Sequence, residues 1–360
     1  MTAVAAIGAT PSAPAAVEPL AYSEADVAAA LGPDWTTTLL AAHRWITLGR
    51  ALDARMQAYQ RQGRVGFYGA ATGQEAVNVA AGLATTPDDW IFPGLREQLV
   101  ALVRGHALPT YVHHLFGDAR DPAKGRNMPC HPTAREVHYV SMSSVIGTQV
   151  THAVGAAYGM KLRHVPGVAL AFFGDGATSA NDVHAGLNFA AVLDLPVLFC
   201  CTNNQWAISV PVARQTHAAT LAAKAHAYGL EGRRVDGTDY VAVHRALREA
   251  LARLRAGGPP EMIEFLLYRM TPHSSSDDPT RYQPSDWAAR AAAHDPYVRL
   301  ERWLLEHAVL SPSAQAAARA DADAAVRVAV EAAETTPLPP PESVTEDVYA
   351  SARPAHSDTG

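Results

Sequence analysis

The sequence predicts an α/β protein with a doubly wound, mainly parallel sheet, N-terminal helices and a helical C-terminal extension. Two apolar runs, at 168–173 and 196–201, are continuous rather than alternating, which is typical of parallel strands covered on both faces. The segment between them, 182–193, has helical spacing. A strand, helix, strand unit of this kind crosses over right-handed and leaves both strand ends at one edge of the sheet.

Two further strands extend the predicted sheet. They are expected at 233–235 and 262–268, on either side of a helix at 240–255 that ends before Gly257. Strands that alternate with helices in this way indicate a doubly wound sheet.

Helical spacing also predicts helices before and after the sheet. Segments 22–62 and 72–84 would form an entry layer, and Ser311 followed by Pro312 indicates the start of a C-terminal helix. Turn-forming residues without periodicity predict a long loop at 117–135. From these boundaries we divide the chain into a disordered arm at 1–20, one α/β domain at 21–310, and a C-terminal helix and tail at 311–360.

Composition and charge narrow the class of protein. With 360 residues, 48% of them hydrophobic, the chain can bury a substantial core. A net charge of −6 without a basic run argues against nucleic-acid or membrane-surface partners, and no apolar run is long enough to span a bilayer. The Ala- and Pro-rich N-terminus lacks early Lys or Arg, which favours a cytoplasmic protein. The 3 cysteines of the whole chain are expected to be buried, reduced thiols.

Two polar motifs follow the strands of the central unit. Gly174-Asp175-Gly176 comes after the first strand and Asn203-Asn204 after the second, so both are expected at the carboxyl edge, where open parallel sheets bind ligands. The glycines let backbone N–H groups approach a phosphate, and the start of the next helix adds partial positive charge. Carboxylate and amide oxygens suit magnesium, which also keeps phosphate and water ligands. Diphosphate bound through magnesium is the direct chemical interpretation.

Two other interpretations of the glycine motif compete. Gly-Asp-Gly alone is a common turn, and a dinucleotide fold also places a glycine turn after a strand. The dinucleotide fingerprint, however, requires glycine where this chain has Ser179, and no acidic residue closes a second strand at the ribose position. The pair of motifs at this separation is much more specific than either motif alone.

Further motifs surround this pair over roughly residues 40–310. The motifs are Gly-Asp-Gly-Ala-Thr-Ser (174–179), His-Ala-Gly-Leu-Asn-Phe-Ala-Ala (184–191), Asn-Asn-Gln-Trp-Ala-Ile-Ser (203–209), Asp-Trp-Ile-Phe-Pro (89–93), Lys-Gly-Arg-Asn-Met-Pro (124–129) and His-Ser-Ser-Ser-Asp-Asp (273–278). Together with the separation between Gly176 and Asn203, they resemble the thiamine-diphosphate-dependent alpha subunits of 2-oxoacid dehydrogenases. The branched-chain alpha subunit is most similar, followed by the pyruvate dehydrogenase alpha subunit.

The resemblance implies roles for individual residues. Magnesium would be held by Asp175, Asn204 and the backbone carbonyl of Trp206, and the candidate catalytic residues are His273, Ser144 and His131. Ser143, Thr148 and Gln149 match residues that bind potassium in some members. The cofactor-binding residues would be Arg96, Ser144, Ile146, Gly174, Asp175, Gly176, Ala177, Asn204, Trp206 and His273.

Several positions depart from the family pattern without removing the magnesium ligands. They are Leu95, Val145, Ala180, Asn181 and Thr202. The pair His113-His114 is outside the family site and is predicted to lie on a solvated helix face.

The resemblance also implies a reaction and partners. The cofactor would support oxidative decarboxylation of a branched-chain 2-oxoacid, and the acyl group would pass to a lipoyl-bearing acyltransferase component. The chain has room for only one thiamine-binding domain, so a beta subunit would supply the second, with its catalytic glutamate, in an α2β2 assembly. Two alternatives remain: a pyruvate or acetoin dehydrogenase alpha subunit, and a non-catalytic subunit that kept the fold. Intact Asp175 and Asn204 argue against the latter.

Overall fold

The computed structural model describes residues 17–274 and 276–348. Its strands are β1 (Trp90–Phe92), β2 (Ala169–Gly174), β3 (Val197–Asn203), β4 (Trp206–Ala207), β5 (Val210–Pro211), β6 (Glu231–Asp236) and β7 (Glu261–Leu266). Five of them form a parallel sheet in the order β1-β2-β3-β7-β6, while β4 and β5 pair as a small antiparallel hairpin. The predicted parallel α/β sheet is confirmed.

Helices cover both faces of the sheet. Further helices precede the first strand and follow the last one along the chain. None within the described ranges is long and apolar enough to cross a membrane. In chain order they are α1 (Glu24–Leu31), α2 (Trp35–Arg61), α3 (Glu75–Ala84), α4 (Gln98–Val103), α5 (Leu108–Phe116), α6 (Thr148–Arg163), α7 (Asn181–Val192), α8 (Tyr240–Arg255), α9 (Trp287–Ala293), α10 (Pro296–Glu306) and α11 (Pro312–Glu334).

Alternate residues of the central strands enter two different cores. Leu170 and Phe172 of β2 join the larger core with α2, α3 and α8, whereas Phe173 joins the smaller core with α6 and α7. In β3, Cys200 and Cys201 likewise face opposite sides, and both are buried free thiols, as predicted. Coverage on both faces is why these strands are continuously apolar in sequence.

Most predicted boundaries lie within a few residues of the observed ones. The 22–62 segment is two helices, because Gly32 adopts a φ of 92° and ends α1. Ser311 caps α11 by accepting a hydrogen bond of 3.1 Å from Ala314 N, as the sequence indicated. The edge strand β1 was missed, since three residues are too few for a recognisable period.

The first and last segments that the structure describes pack against the main body. Val326 and Val330 of α11 belong to the larger core. Glu18 N donates to Ala293 O over 2.8 Å and Leu20 is buried, so ordered packing begins before residue 21. Residues 1–16 of the arm and 349–360 of the tail lie outside the described residues, and the division into three parts stays a prediction.

Candidate active site

The carboxyl ends of β2 and β3 place the predicted magnesium ligands at one edge of the sheet. Gly174 at the end of β2 pairs with Thr202 of β3, and the chain then turns sharply after each strand. Asp175 lies in the turn after β2, while Asn204 and Trp206 follow β3. All three residues are buried. The topology therefore brings them to a common edge, as predicted.

Each proposed magnesium ligand already has a hydrogen-bond partner. Asp175 Oδ2 accepts from Gln215 Nε2 over 2.6 Å, Asn204 Oδ1 accepts from Trp206 N over 3.2 Å, and Trp206 O accepts from Arg269 Nη1 over 3.1 Å. Burial raises the pKa of Asp175 to about 6. A nearby cation would favour its ionised form.

This oxygen set is chemically suited to magnesium rather than to a transition metal. Within residues 17–274 and 276–348, no group of three His, Cys, Asp or Glu side chains could hold a metal ion. A single carboxylate with amide and carbonyl oxygens leaves positions for phosphate and water, which is the coordination that magnesium prefers. The donor set fits the ion only if a phosphate accompanies it.

Gly176 permits a close approach of the hairpin to the turn after β2. A Cβ atom at Gly176 would lie 2.6 Å from Ala207 Cβ, whereas one at Gly174 would have its nearest neighbour, Thr202 O, at 4.0 Å. Ala177, in the same turn, is buried in the smaller core. Only the second glycine of the motif is therefore required by packing in this structure.

Arg96 is a buried cation facing the loop at 271–282. Its Nη1 donates to Ala70 O and its Nη2 to His273 O, the latter over 2.6 Å. Among the ion pairs of the described residues, none involves Arg96. Burial, together with repulsion from Arg269, lowers its pKa to about 10. A buried guanidinium bonded only to carbonyl oxygens is suited to receive an anion.

His273 belongs to this loop and lies near both Arg96 and Arg269. Burial first, and then the charges of Arg96 and Arg269, lower the pKa of His273 to about 4. The imidazole is thus neutral near pH 7. It can donate one hydrogen bond to a phosphate but supplies no positive charge in this state.

Asp277, Tyr282 and Arg269 fix the return path of this loop. Arg269 Nη2 donates to Tyr282 Oη over 2.8 Å, and Tyr282 Oη donates to Asp277 Oδ2 over 2.5 Å. Asp277 Oδ2 also accepts from His273 N over 2.7 Å. Tyr282 was not among the predicted site residues, since a single tyrosine carries no spacing signal.

Within the described residues, neither Asp277 nor Asp278 forms an ion pair with Arg281. Asp277 uses the partners just described, and Asp278 Oδ1 instead accepts from Thr280 N over 3.1 Å, capping a short helix at Pro279–Arg281. Asp278 thus serves as a helix cap: its carboxylate satisfies a main-chain N–H two residues ahead, a local bond that competes with pairing to Arg281.

His131 and Ser144, which are separate in sequence, form a hydrogen-bonded pair. His131 Nδ1 lies 2.9 Å from Pro129 O, which can only accept, so this nitrogen carries hydrogen. The remaining nitrogen, Nε2, contacts the Ser144 hydroxyl. Ser144 is exposed, as is Ile146, so both can contact a ligand.

The expectation that His113 and His114 lie on a solvated helix face is wrong. Both are buried, because each has a carboxylate partner in the following loop. His113 Nδ1 lies 2.6 Å from Asp118 Oδ2, and His114 Nδ1 lies 3.2 Å from Asp121 Oδ1. His114 Nε2 accepts from the backbone N–H of His131 over 3.1 Å, so this helix supports the loop beneath the His131–Ser144 pair.

The predicted potassium ligands lie around the start of α6. Gln149 Nε2 donates to Phe172 O over 2.9 Å, while its Oε1 is buried without a hydrogen-bond partner in the described part of the chain. Ser143 Oγ accepts from Val145 N over 3.1 Å, and Thr148 begins the helix. The orphaned acceptor on Gln149 fits a cation site.

Comparison with known proteins places this geometry in a family. Residues 43–342 match the family described as "Dehydrogenase E1 component". The chain is 41% identical over 297 residues to 2-oxoisovalerate dehydrogenase subunit alpha 2, mitochondrial, of Arabidopsis thaliana, covering 81% of this chain and 62% of that protein. It is 37% identical over 312 residues to the mitochondrial 2-oxoisovalerate dehydrogenase subunit alpha of Mus musculus, covering 86% and 71%.

A bacterial relative matches over a larger share of its own length. The chain is 41% identical over 295 residues to the 3-methyl-2-oxobutanoate dehydrogenase subunit alpha of Mycobacterium tuberculosis, covering 78% of each protein. It spans 62% and 64% of the length of the two Arabidopsis relatives. The family match and these identities give one conclusion: the chain belongs to the dehydrogenase E1 component family.

Proposed function

We propose that this chain is the alpha subunit of a branched-chain 2-oxoacid dehydrogenase that binds thiamine diphosphate through magnesium. One observation carries the proposal: buried Asp175, Asn204 and the carbonyl of Trp206 share the sheet edge at which β2 and β3 end. When bound, the cofactor would hold the electron pair that is released as carbon dioxide leaves the 2-oxoacid.

The chain's own residues would bind and orient this cofactor. Asp175, Asn204 and Trp206 O would hold magnesium, and Arg96, whose guanidinium is buried without a carboxylate partner in the described residues, would neutralise part of the diphosphate charge. The cofactor would also be lined by two glycines and three other residues, namely Gly174, Gly176, Ala177, Ser144 and Ile146. Potassium at Ser143, Thr148 and Gln149 is a further part of the proposal.

Proton control would fall to three residues that are close to the cofactor in this proposal. Burial and the neighbouring arginines hold His273 neutral near pH 7, so one nitrogen of its imidazole can donate a hydrogen bond and the other can accept one. The second candidate group is the His131–Ser144 pair, in which Ser144 is exposed and available to a substrate oxygen.

A beta subunit, in an α2β2 assembly, would complete the site, and a lipoyl-bearing acyltransferase component would accept the acyl group. The branched-chain substrate is favoured because the relatives described above are named for 2-oxoisovalerate or 3-methyl-2-oxobutanoate. The prediction of a cytoplasmic protein stays a prediction, since several relatives are named as mitochondrial.

Two measurements test this function. Calorimetry on the complex assembled with the beta subunit should find thiamine diphosphate binding that requires magnesium; a non-catalytic subunit would not need to bind it. Steady-state rates should favour 3-methyl-2-oxobutanoate over pyruvate, and the reverse preference would point to a pyruvate dehydrogenase instead.

The isolated alpha chain should decarboxylate neither acid, because the catalytic glutamate is expected on the beta subunit. Robust turnover by a pure alpha preparation would contradict this part of the proposal.

A further inference from the structure

Gln215 joins the turn that carries Asp175 to the hairpin that carries Trp206. Its Nε2 donates to Asp175 Oδ2 over 2.6 Å and to the main-chain oxygen of Val210 over 2.9 Å. Val210 belongs to β5, which pairs with β4 through Ala207. One side-chain amide therefore connects the two elements that bear the proposed carboxylate and carbonyl ligands of magnesium.

The orientation of this amide is fixed by its surroundings. A main-chain carbonyl and an ionised carboxylate can both accept hydrogen bonds but cannot donate them. If the amide were flipped, its oxygen would face two other oxygens, without any hydrogen between them. With Nε2 so placed, Gln215 Oε1 is buried and has no partner among the residues that the structure describes. Buried acceptors are normally satisfied, so an unpaired one beside a binding site suits a donor that arrives with the ligand.

The backbone holds Gln215 in position independently of its side chain. Gln215 N donates to Val212 O over 2.9 Å at the end of the short helix Val212–Arg214, and Val212 N donates to Gln205 O over 3.1 Å. The helix is thereby anchored to the turn after β3. The side chain of Gln215 therefore reaches Asp175 from the segment that also carries Asn204 and Trp206.

We propose that Gln215 is a positioning residue for the magnesium ion, an inference that rests on the proposed function. By holding Oδ2 of Asp175, it directs the carboxylate and keeps it in register with the hairpin that bears the Trp206 carbonyl. Its unpaired Oε1 is an acceptor for a water molecule of the hydrated ion. A purely structural Gln215 would stabilise the turn and leave ion affinity unchanged.

Gln215→Met tests the proposal because it keeps the length of the side chain and removes both donor and acceptor. Magnesium chloride is titrated calorimetrically into the complex assembled with the beta subunit, at a fixed concentration of thiamine diphosphate. We expect the magnesium Kd to rise about 10-fold or more, as for other residues that orient a metal ligand. The value of kcat at saturating magnesium should change far less, because the ion, once bound, has its own ligands in place.

A second variant and a control make the result decisive. Gln215→Asn keeps the amide on a shorter side chain that cannot bridge both partners, so its magnesium Kd should also rise. Gln62→Met makes the same chemical change at an exposed position beyond α2 and should leave the Kd unaltered. An unchanged magnesium Kd in Gln215→Met or Gln215→Asn overturns the inference, even if the thermal midpoint falls. A wild-type complex without magnesium-dependent cofactor binding would instead overturn the proposed function itself.

Discussion

Arg96 Nη2 donates a hydrogen bond of 2.6 Å to the main-chain oxygen of His273, which ties the segment after β1 to the loop at 271–282. The same guanidinium is the buried cation proposed to receive the diphosphate. A bound anion would compete with the His273 carbonyl for the N–H donors of Arg96, or would share these donors with it. The conformation of the loop is therefore expected to depend on whether the site is filled.

A negative charge in this loop should oppose cofactor binding. We expect Ser274→Glu to lower lipoyl-linked activity and to block ordering of the loop by thiamine diphosphate, because the carboxylate would repel the diphosphate at close range. Ser274→Ala should be milder. Limited proteolysis with and without the cofactor measures the ordering, and equal protection in both states would argue against this role. The same expectation for Ser275 concerns a residue outside the described ranges.

Removing the single carboxylate of the proposed ion site should have a large effect. Asp175→Ala should abolish magnesium-supported binding of thiamine diphosphate, since the remaining ligands are uncharged and leave the diphosphate poorly neutralised. Calorimetry on the assembled variant measures this. Asp321→Ala, at an exposed position on α11, is the matched control and should bind normally. Near-native affinity in Asp175→Ala would refute the metal assignment.

The two glycines of the motif should differ in their tolerance of a side chain. Gly176→Ala should lower the free energy of unfolding by about 1–3 kcal/mol, because its Cβ would meet Ala207 Cβ at 2.6 Å. Gly174→Ala should cost much less, since its nearest neighbour would be at 4.0 Å. Urea denaturation compares them. The double variant Gly176→Ala with Ala207→Gly should recover most of the loss; if it does not, the clash is not the cause.

Glu97 should make stability depend on pH. Burial raises the pKa of this carboxyl to about 7, so the folded chain holds the proton more tightly than the unfolded chain. This contribution to stability is complete below about pH 4.5 and is lost as pH rises through 7. Between pH 4.5 and 8, the stability of Glu97→Gln should therefore rise relative to wild type by on the order of 2–3 kcal/mol.

Urea denaturation across this pH range measures the difference. Glu342→Gln, at an exposed position, is the control and should follow the wild-type curve. A constant difference between Glu97→Gln and wild type would mean that Glu97 does not titrate in this range.

Most elements with a local sequence pattern were predicted correctly, although the helical segment at 22–62 is divided at Gly32. The helix at Tyr240–Arg255 and the cap at Ser311 agree with their predicted positions. The carboxyl-edge placement of Asp175 and Asn204 also followed from sequence, because two parallel strands joined by one crossover end on the same side. Periodicity and caps depend on residues that are near one another in the chain, and a crossover joins elements that are consecutive in it. The sequence alone was therefore enough to specify them.

The contacts between residues distant in the chain were decided only by tertiary structure. Gln215 meets Asp175, and Tyr282 joins Arg269 to Asp277, without any spacing that marks these partners in sequence. A polar side chain is satisfied by whichever donor or acceptor the folded backbone brings within about 3 Å, and that choice depends on the packing of whole elements.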